Sequence, residues 1–500
     1  MSRVSRLASI AAILLVSGCS RAPFVEPSRP GEEPRGEPAA ETEEEQSLSS
    51  GPKSRSPIGP GPRQEREGEL DFALAFVDSA KVPSLADDDA GLGDAGPNKA
   101  PAATEPLRVP RAVARVLLKR STTKAVFYSL GDVDIRAGGA KKAGSCRGRI
   151  AVEASNLVPG EAILRASGTG RLRVELPCTL LARSAHNYFE YGETSYRGSL
   201  VLIRAGRGGC GIVNLVAVED YLRGVVPLEI GPRAEEEIEA VKAQAVAART
   251  YTYRRIIERE SEPYDLTSDV SDQVYGGVTA ERPDCDLAVR DTRDLVLAYE
   301  GEIILAYYHS TCGGQTANVE DVWNKPPQPY LKSVPDVDAQ GKPYCGISRY
   351  YAWEESWTPW QLAEILARFG PQAFPSSTAP RGRVTGMTVR HRFVCGRVGS
   401  CVVTTENGSH EYGGDKVRFA VRRGVSGYPI LRSSRFSVTG IDSKAVRIRG
   451  SGYGHGVGMC QMGAIGRARA GQEFEEILGA YYGGASIRRI DVSWQSAEGM

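Results

Sequence analysis

The chain has almost no net charge: 62 basic residues are balanced by 61 acidic ones, leaving +1 at pH 7. That balance argues against a dedicated nucleic-acid binder, which needs a basic surface to meet phosphates. Histidine is scarce, with five in 500 residues. No GxSxG elbow occurs, so acyl transfer of that type is not indicated. The glycine-dense stretch Arg449–Ala464 lacks the lysine and following Ser/Thr of a phosphate-binding loop. Beyond the first residues, no run is apolar enough to cross a bilayer.

What is present at the start is an export signal. Arg3 and Arg6 flank the entry to an apolar run from Leu7 to Val16, too short for a membrane span. The Val16-Ser17-Gly18-Cys19 end resembles a bacterial lipobox, which predicts a signal peptide over 1–19 and diacylation of Cys19. Two acyl chains suffice for stable anchoring to a membrane. Ser20 stands where an aspartate would retain the protein at the inner membrane. In a cell with two membranes this favours an outer-membrane anchor facing the periplasm. Residues 20–105 are rich in Pro, Gly, Glu and Ser and read as a disordered tether, because they cannot bury enough surface to offset chain entropy. Its lone apolar patch is Leu70–Val77.

Nine cysteines remain once Cys19 is set aside. In an oxidising compartment Cys395 and Cys401, bracketing a short segment, are the expected local disulfide, with Cys312–Cys345 as a second candidate. An odd count leaves at least one thiol to stay free, bind metal or pair between chains.

The folded part is expected over 106–490. Alternating runs from Val109 to Val216 predict an antiparallel, β-rich opening module. Two helices follow, Val218–Leu228 and about Ala234–Ile257, the second with Ile238, Val241, Ala245, Ala248, Thr252 and Ile256 on one face. Thr358 and Gln361 form a capping-box pattern that starts a further helix, which Gly370-Pro371 should end. Val384–Ile448 is again strand-rich, and a short helix closes the chain near Phe474–Tyr481. Segregated strands and helices point to an α+β fold, with a β-rich antiparallel module packed on a helical catalytic segment and a C-terminal strand-rich part.

Chemistry narrows to one carboxylate. Glu229 lies between Pro227 and Gly231-Pro232, where the first helix should stop, and a carboxylate on a tight, buried connection has its pKa raised towards working pH. Capping the second helix, or pairing with Arg223, is the structural alternative. Gln244, Arg249, Gln273, Tyr275, His309, Trp323, His455 and Gln461 are planar, multi-donor or aromatic types suited to hydroxyl-rich substrates. The glycines near His455 either let backbone approach a bulky neutral substrate or make a tight structural turn. His309 with Cys312, and His455 with Cys460, offer four soft ligands in spacings unlike a zinc ribbon or a metalloprotease helix, so no metal and no cofactor is expected. No partner carboxylate is evident. Ordinary glycosidases need two, whereas one acid/base suffices when the substrate's own hydroxyl attacks the anomeric carbon.

The blocks VNLVAVEDYLRGVVPLEI, EAVKAQAVAARTYTY, SDQVYGG, YYHSTCGGQT with VWN, LRSSRF and GSGYGHGVGMCQMGAIGRARAG together resemble the SpoIID/LytB family, in family order across roughly 106–490. The resemblance implies a lytic transglycosylase that cuts the MurNAc-GlcNAc bonds of peptide-stripped peptidoglycan strands and leaves 1,6-anhydroMurNAc ends. It places the essential glutamate at Glu229, in the segment Val226-Pro227-Leu228-Glu229-Ile230. Two positions depart from the family pattern: Ala317-Asn318, where an acidic residue is frequent, and Cys460, where serine is common. Some members hold zinc through His and Cys, and no matching ligand set is assigned here. The alternative reading is a non-catalytic glycan-binding lipoprotein that recruits or stimulates a cell-wall amidase.

Overall fold

The computed structural model describes residues 106–491, apart from 139–140, 156–157, 207 and 377. The expected signal peptide, Cys19, the 20–105 tether and its Leu70–Val77 patch lie outside the described residues. Within them the fold is α+β.

Period-2 alternation builds the first part. Along the strand Lys124–Ala137, the residues Ala125, Phe127, Val133 and Ile135 turn one way and are buried. Ile150, Leu164, Leu180 and Leu202 from neighbouring strands complete that core. The sheet has eleven strands and is antiparallel except where Leu266–Thr267 joins its edge parallel to Val113–Thr122. Its strand Gly209–Ala217 passes without a loop into a helix, α1, over Val218–Ile230. The sheet therefore aims α1.

α1 corrects one expectation. The helix was expected to stop at Leu228, but it runs on through Glu229 to Ile230 and stops at Gly231, whose positive φ of 76° and N–H to the Pro227 carbonyl (3.1 Å) close the last turn. A proline three residues from the end removes only its own donor and leaves the C-terminal turn intact. A single 3₁₀ turn, Glu235–Glu237, then leads into α2, Ile238–Glu258. α2 is buried on nearly all sides rather than on one face, since α1 and the helices Pro283–Asp291, Gln461–Arg469 and Phe474–Tyr481 all pack around it. The small residues of AQAVAA allow those close approaches.

A second hydrophobic core sits in residues 353–448. There the helix Pro359–Ala373 packs with two three-stranded sheets through Trp357, Leu362, Leu366, Tyr412, Phe436 and Ile448. Thr358 Oγ1 accepts the Gln361 N–H (3.1 Å), as expected of an N-cap. The Gln361 side chain instead donates to the Gly424 carbonyl, and the helix continues past Pro371 to Ala373. Cys395 belongs to the main core and Cys401 to the second, both as free buried thiols, so the expected local disulfide is absent. The described chain closes on itself. Its final strand, Ser486–Asp491, pairs with both Leu295–Tyr299 and Leu107–Arg108.

Candidate active site

Glu229 occupies the last turn of α1, with its side chain partly open to solvent. It neither caps α2 nor pairs with Arg223, which is held by Asp286 and Glu281. Its Oε1 accepts the N–H of Val274 at 3.0 Å, and the Gln461 side chain donates to the same carboxyl group. Gln461 opens the helix Gln461–Arg469 and also donates to Gln244 Oε1 (3.3 Å) in the middle of α2. Gln244 is fully buried, yet its Nε2 has no partner among the described residues. Three segments far apart in sequence thus meet around one carboxylate.

Burial dominates the electrostatics there. It pushes the Glu229 pKa from its ordinary 4.5 up to about 7, while the Val274 N–H and Gln461 pull it back. No neighbouring charge contributes to that shift. The carboxyl group is thus raised by desolvation and poised between its two protonation states near neutrality.

Tyr308 lies on the side of Glu229, and its hydroxyl accepts from Gln273 Nε2 (2.9 Å). Sequence reading missed this tyrosine because it stands next to the more conspicuous His309. Gln273 itself is saturated: its Oε1 accepts from Thr252 (2.9 Å) and Tyr221 (3.3 Å) and its Nε2 also reaches the Ala248 carbonyl (3.4 Å). It orders Tyr308 and has no hydrogen bond to spare for a substrate. Arg249 is corrected more sharply. Buried completely, it spends its donors on both Glu219 oxygens (2.7 and 2.8 Å), Thr292 and the carbonyls of Val289 and Leu295. Tyr275 packs against Gly224 and gives its hydroxyl to Asn214 (3.1 Å). Both are core members, and the planar side chains that suggested sugar contacts are used to join elements instead.

His309 and His455 form a separate group, with ring centroids 5.4 Å apart. His309 Nδ1–H donates to the Val457 carbonyl (3.2 Å), which leaves Nε2 bare and without a described partner. His455 Nδ1 accepts the Val457 N–H (3.1 Å), so its proton sits on Nε2. Burial lowers both pKa values, that of His455 to about 4 and that of His309 well below the usual range. The pair is therefore neutral. Trp323 packs at a tilt against His455 (ring centroids 4.8 Å apart) and Tyr307 (4.6 Å), a partly open aromatic face beside the histidines. Buried Arg397 reaches the Gly454 carbonyl (3.1 Å) next to them, with Nε and Nη2 unpartnered among the described residues. No local sequence signal marks Arg397.

The glycine-dense loop serves the protein's own backbone. A Cβ on Gly458, whose φ is 69°, would lie 2.0 Å from the Tyr307 carbonyl oxygen, and one on Gly452 would lie 2.6 Å from that of Thr311. These glycines let the loop dock against 307–312, with Met459–Cys460 pairing parallel to Tyr308–His309. That docking brings Gln461 to Glu229.

Comparison with known proteins supplies the remaining context. The stage II sporulation protein family matches residues 206–299, and a domain of unknown function (DUF8618) matches 346–458, the stretch that holds most of the second core. An uncharacterized protein of Brachyspira hyodysenteriae is 30% identical over 308 residues, 60% of this chain and 74% of that protein. The amidase enhancer of Bacillus subtilis is 30% identical over 305 residues, 53% of this chain and 40% of that protein. Stage II sporulation protein D of Bacillus subtilis is 28% identical over 315 residues, 82% of its length.

Proposed function

Because the chain belongs to the SpoIID/LytB family, we propose that it is a peptidoglycan lytic transglycosylase in which Glu229 is the sole acid/base. The observation that carries this reading is the placement of the Glu229 carboxyl group at the end of α1, held by the Val274 N–H at 3.0 Å, with burial rather than a neighbouring charge among the described residues raising its pKa to about 7. A paired-carboxylate hydrolase would show two such groups across a sugar-sized gap.

In this mechanism protonated Glu229 gives its proton to the oxygen linking N-acetylmuramic acid to N-acetylglucosamine. The resulting carboxylate is then held by the Val274 N–H and Gln461, and takes the proton from the muramic acid C6 hydroxyl as that oxygen closes on C1. Proton bookkeeping balances without water, and the product carries a 1,6-anhydro end. Near-equal populations of both states at neutral pH suit one residue to both steps. The partly open faces of Trp323 and His455 offer sugar-contacting surface. On this reading the chain works from a diacyl anchor on Cys19, at the outer membrane facing the periplasm. Mass spectrometry of the mature N-terminal peptide tests that: an unmodified Cys19 overturns the anchor.

The decisive assay incubates the full chain with peptide-free glycan strands and examines the products by mass spectrometry. Wild type is expected to release anhydromuramic ends, and Glu229→Gln to lose at least about 100-fold of that activity with its fold intact. Equal product from Glu229→Gln sinks the assignment. The name of one relative, amidase enhancer, favours a second reading, a glycan-binding protein that stimulates an amidase. That reading predicts no anhydro ends from wild type but faster turnover by a co-purified amidase.

A further inference from the structure

We propose that Cys312, Asp336, Cys345 and Cys460 form a structural zinc site. Their ligand atoms all lie within 4.8 Å of one another, and all four residues are buried. Cys312 Sγ is 3.5 Å from Cys345 Sγ and 3.3 Å from Asp336 Oδ2. A tetrahedral zinc with Zn–S near 2.3 Å sets sulfur–sulfur edges at roughly 3.8 Å, so a slight opening of the 3.5 Å Cys312–Cys345 pair and closing of the wider pairs, none beyond 4.8 Å, accommodates all four. Three sulfurs exclude the oxygen-seeking cations Ca²⁺ and Mg²⁺. Four protein ligands leave no open position, which makes the site structural rather than catalytic.

The surroundings are built for anionic sulfur. Cys312 Sγ accepts the Gly314 N–H (3.3 Å), and Cys460 Sγ accepts the N–H groups of Cys312 (3.1 Å) and Gly463 (3.3 Å). A neutral thiol is a weak acceptor, whereas a metal-bound thiolate uses such donors well. Asp336 is oriented in the same sense. Tyr481 (2.8 Å) and Arg467 (3.2 Å) both donate to Oδ1, which turns Oδ2 towards the thiols. A Cβ on Gly463 would sit 2.1 Å from Oδ2, so glycine there keeps the carboxylate in place.

A Cys312–Cys345 disulfide is the competing use of these atoms. It requires the sulfurs to close to about 2.05 Å, and it uses only two of the four clustered groups. Zinc uses all four. On binding, the three thiols release their protons, so loading is favoured as pH rises. The site would clip together the loop after Tyr308–His309, the turn Tyr344–Ile347 and the start of the helix Gln461–Arg469. Its existence does not depend on what Glu229 does.

The test uses the full chain purified under reducing conditions and dialysed into metal-free buffer. Atomic emission is expected to find about one zinc per chain, and cobalt exchanged into the wild type is expected to show thiolate-to-cobalt charge transfer with intense tetrahedral bands. Cys345→Ser and Asp336→Asn should each weaken zinc binding by more than about 10-fold, while Cys395→Ser keeps it. Because the cobalt spectrum is read on the wild type, a variant that fails to fold does not decide the matter. Wild type without stoichiometric zinc and without a thiolate–cobalt band overturns the site, as does full zinc retention in both ligand variants. A Cys312–Cys345 disulfide in zinc-free protein isolated without reductant overturns it too.

Discussion

A glutamate with a pKa near 7 makes a sharp demand on pH dependence. In the proposed mechanism the first step needs the protonated acid, so kcat/KM is expected to fall as pH rises through about 7. Gln461 pulls that pKa down by donating to the carboxylate. Gln461→Ala should therefore move the falling limb to higher pH while lowering the maximal rate, which a pH–rate series on glycan strands measures. An unmoved limb would mean that Gln461 does not touch the working carboxylate. Glu229 was legible in the sequence as the odd residue in an apolar, proline-flanked segment. Its neighbours were not, because Val274 and Gln461 arrive from chain positions 45 and 232 residues away. Side-chain type alone also misassigned Arg249, Gln273 and Tyr275: a planar polar group satisfies a buried junction as readily as a sugar, and only the partner count distinguishes the two.

At the scale of elements, prolines and glycines carried more ambiguity than apolar pattern did. Pro227 and Pro371 both lie inside helices, since a proline near a helix end sacrifices little hydrogen bonding. The glycine loop was read as either a substrate cradle or a structural turn, and Gly452 and Gly458 press it against the 307–312 backbone. Gly458→Ala places a methyl against the Tyr307 carbonyl in a left-handed conformation, and should cost roughly 2–4 kcal/mol. Chemical denaturation measures that loss. Activity should fall further than stability, because the same docking presents Gln461 to Glu229. A variant as stable as wild type would show that the loop has room to spare.

The described molecule contains three hydrophobic cores, one under the opening sheet, one around α2 and one in 353–448. Its two ends meet through Ser486–Asp491, which pairs with Leu107–Arg108 and with Leu295–Tyr299. Removing residues 486–500 leaves that edge unpaired and uncovers Ile490's neighbours, so Tm is expected to drop by roughly 5–10 °C, as calorimetry on the truncated chain would read. An unchanged Tm would mean that the strand adds nothing to the main core. The sequence alone determined the α+β class, the opening β-module and the starts of α1 and of the helix Pro359–Ala373, and it singled out Glu229, because periodicity, caps and composition are local. Tertiary structure decided which polar side chains reach Glu229, why its proton is held near neutrality, and which cysteines meet. Desolvation and ligand geometry depend on segments brought together from across the chain, and no local pattern records them.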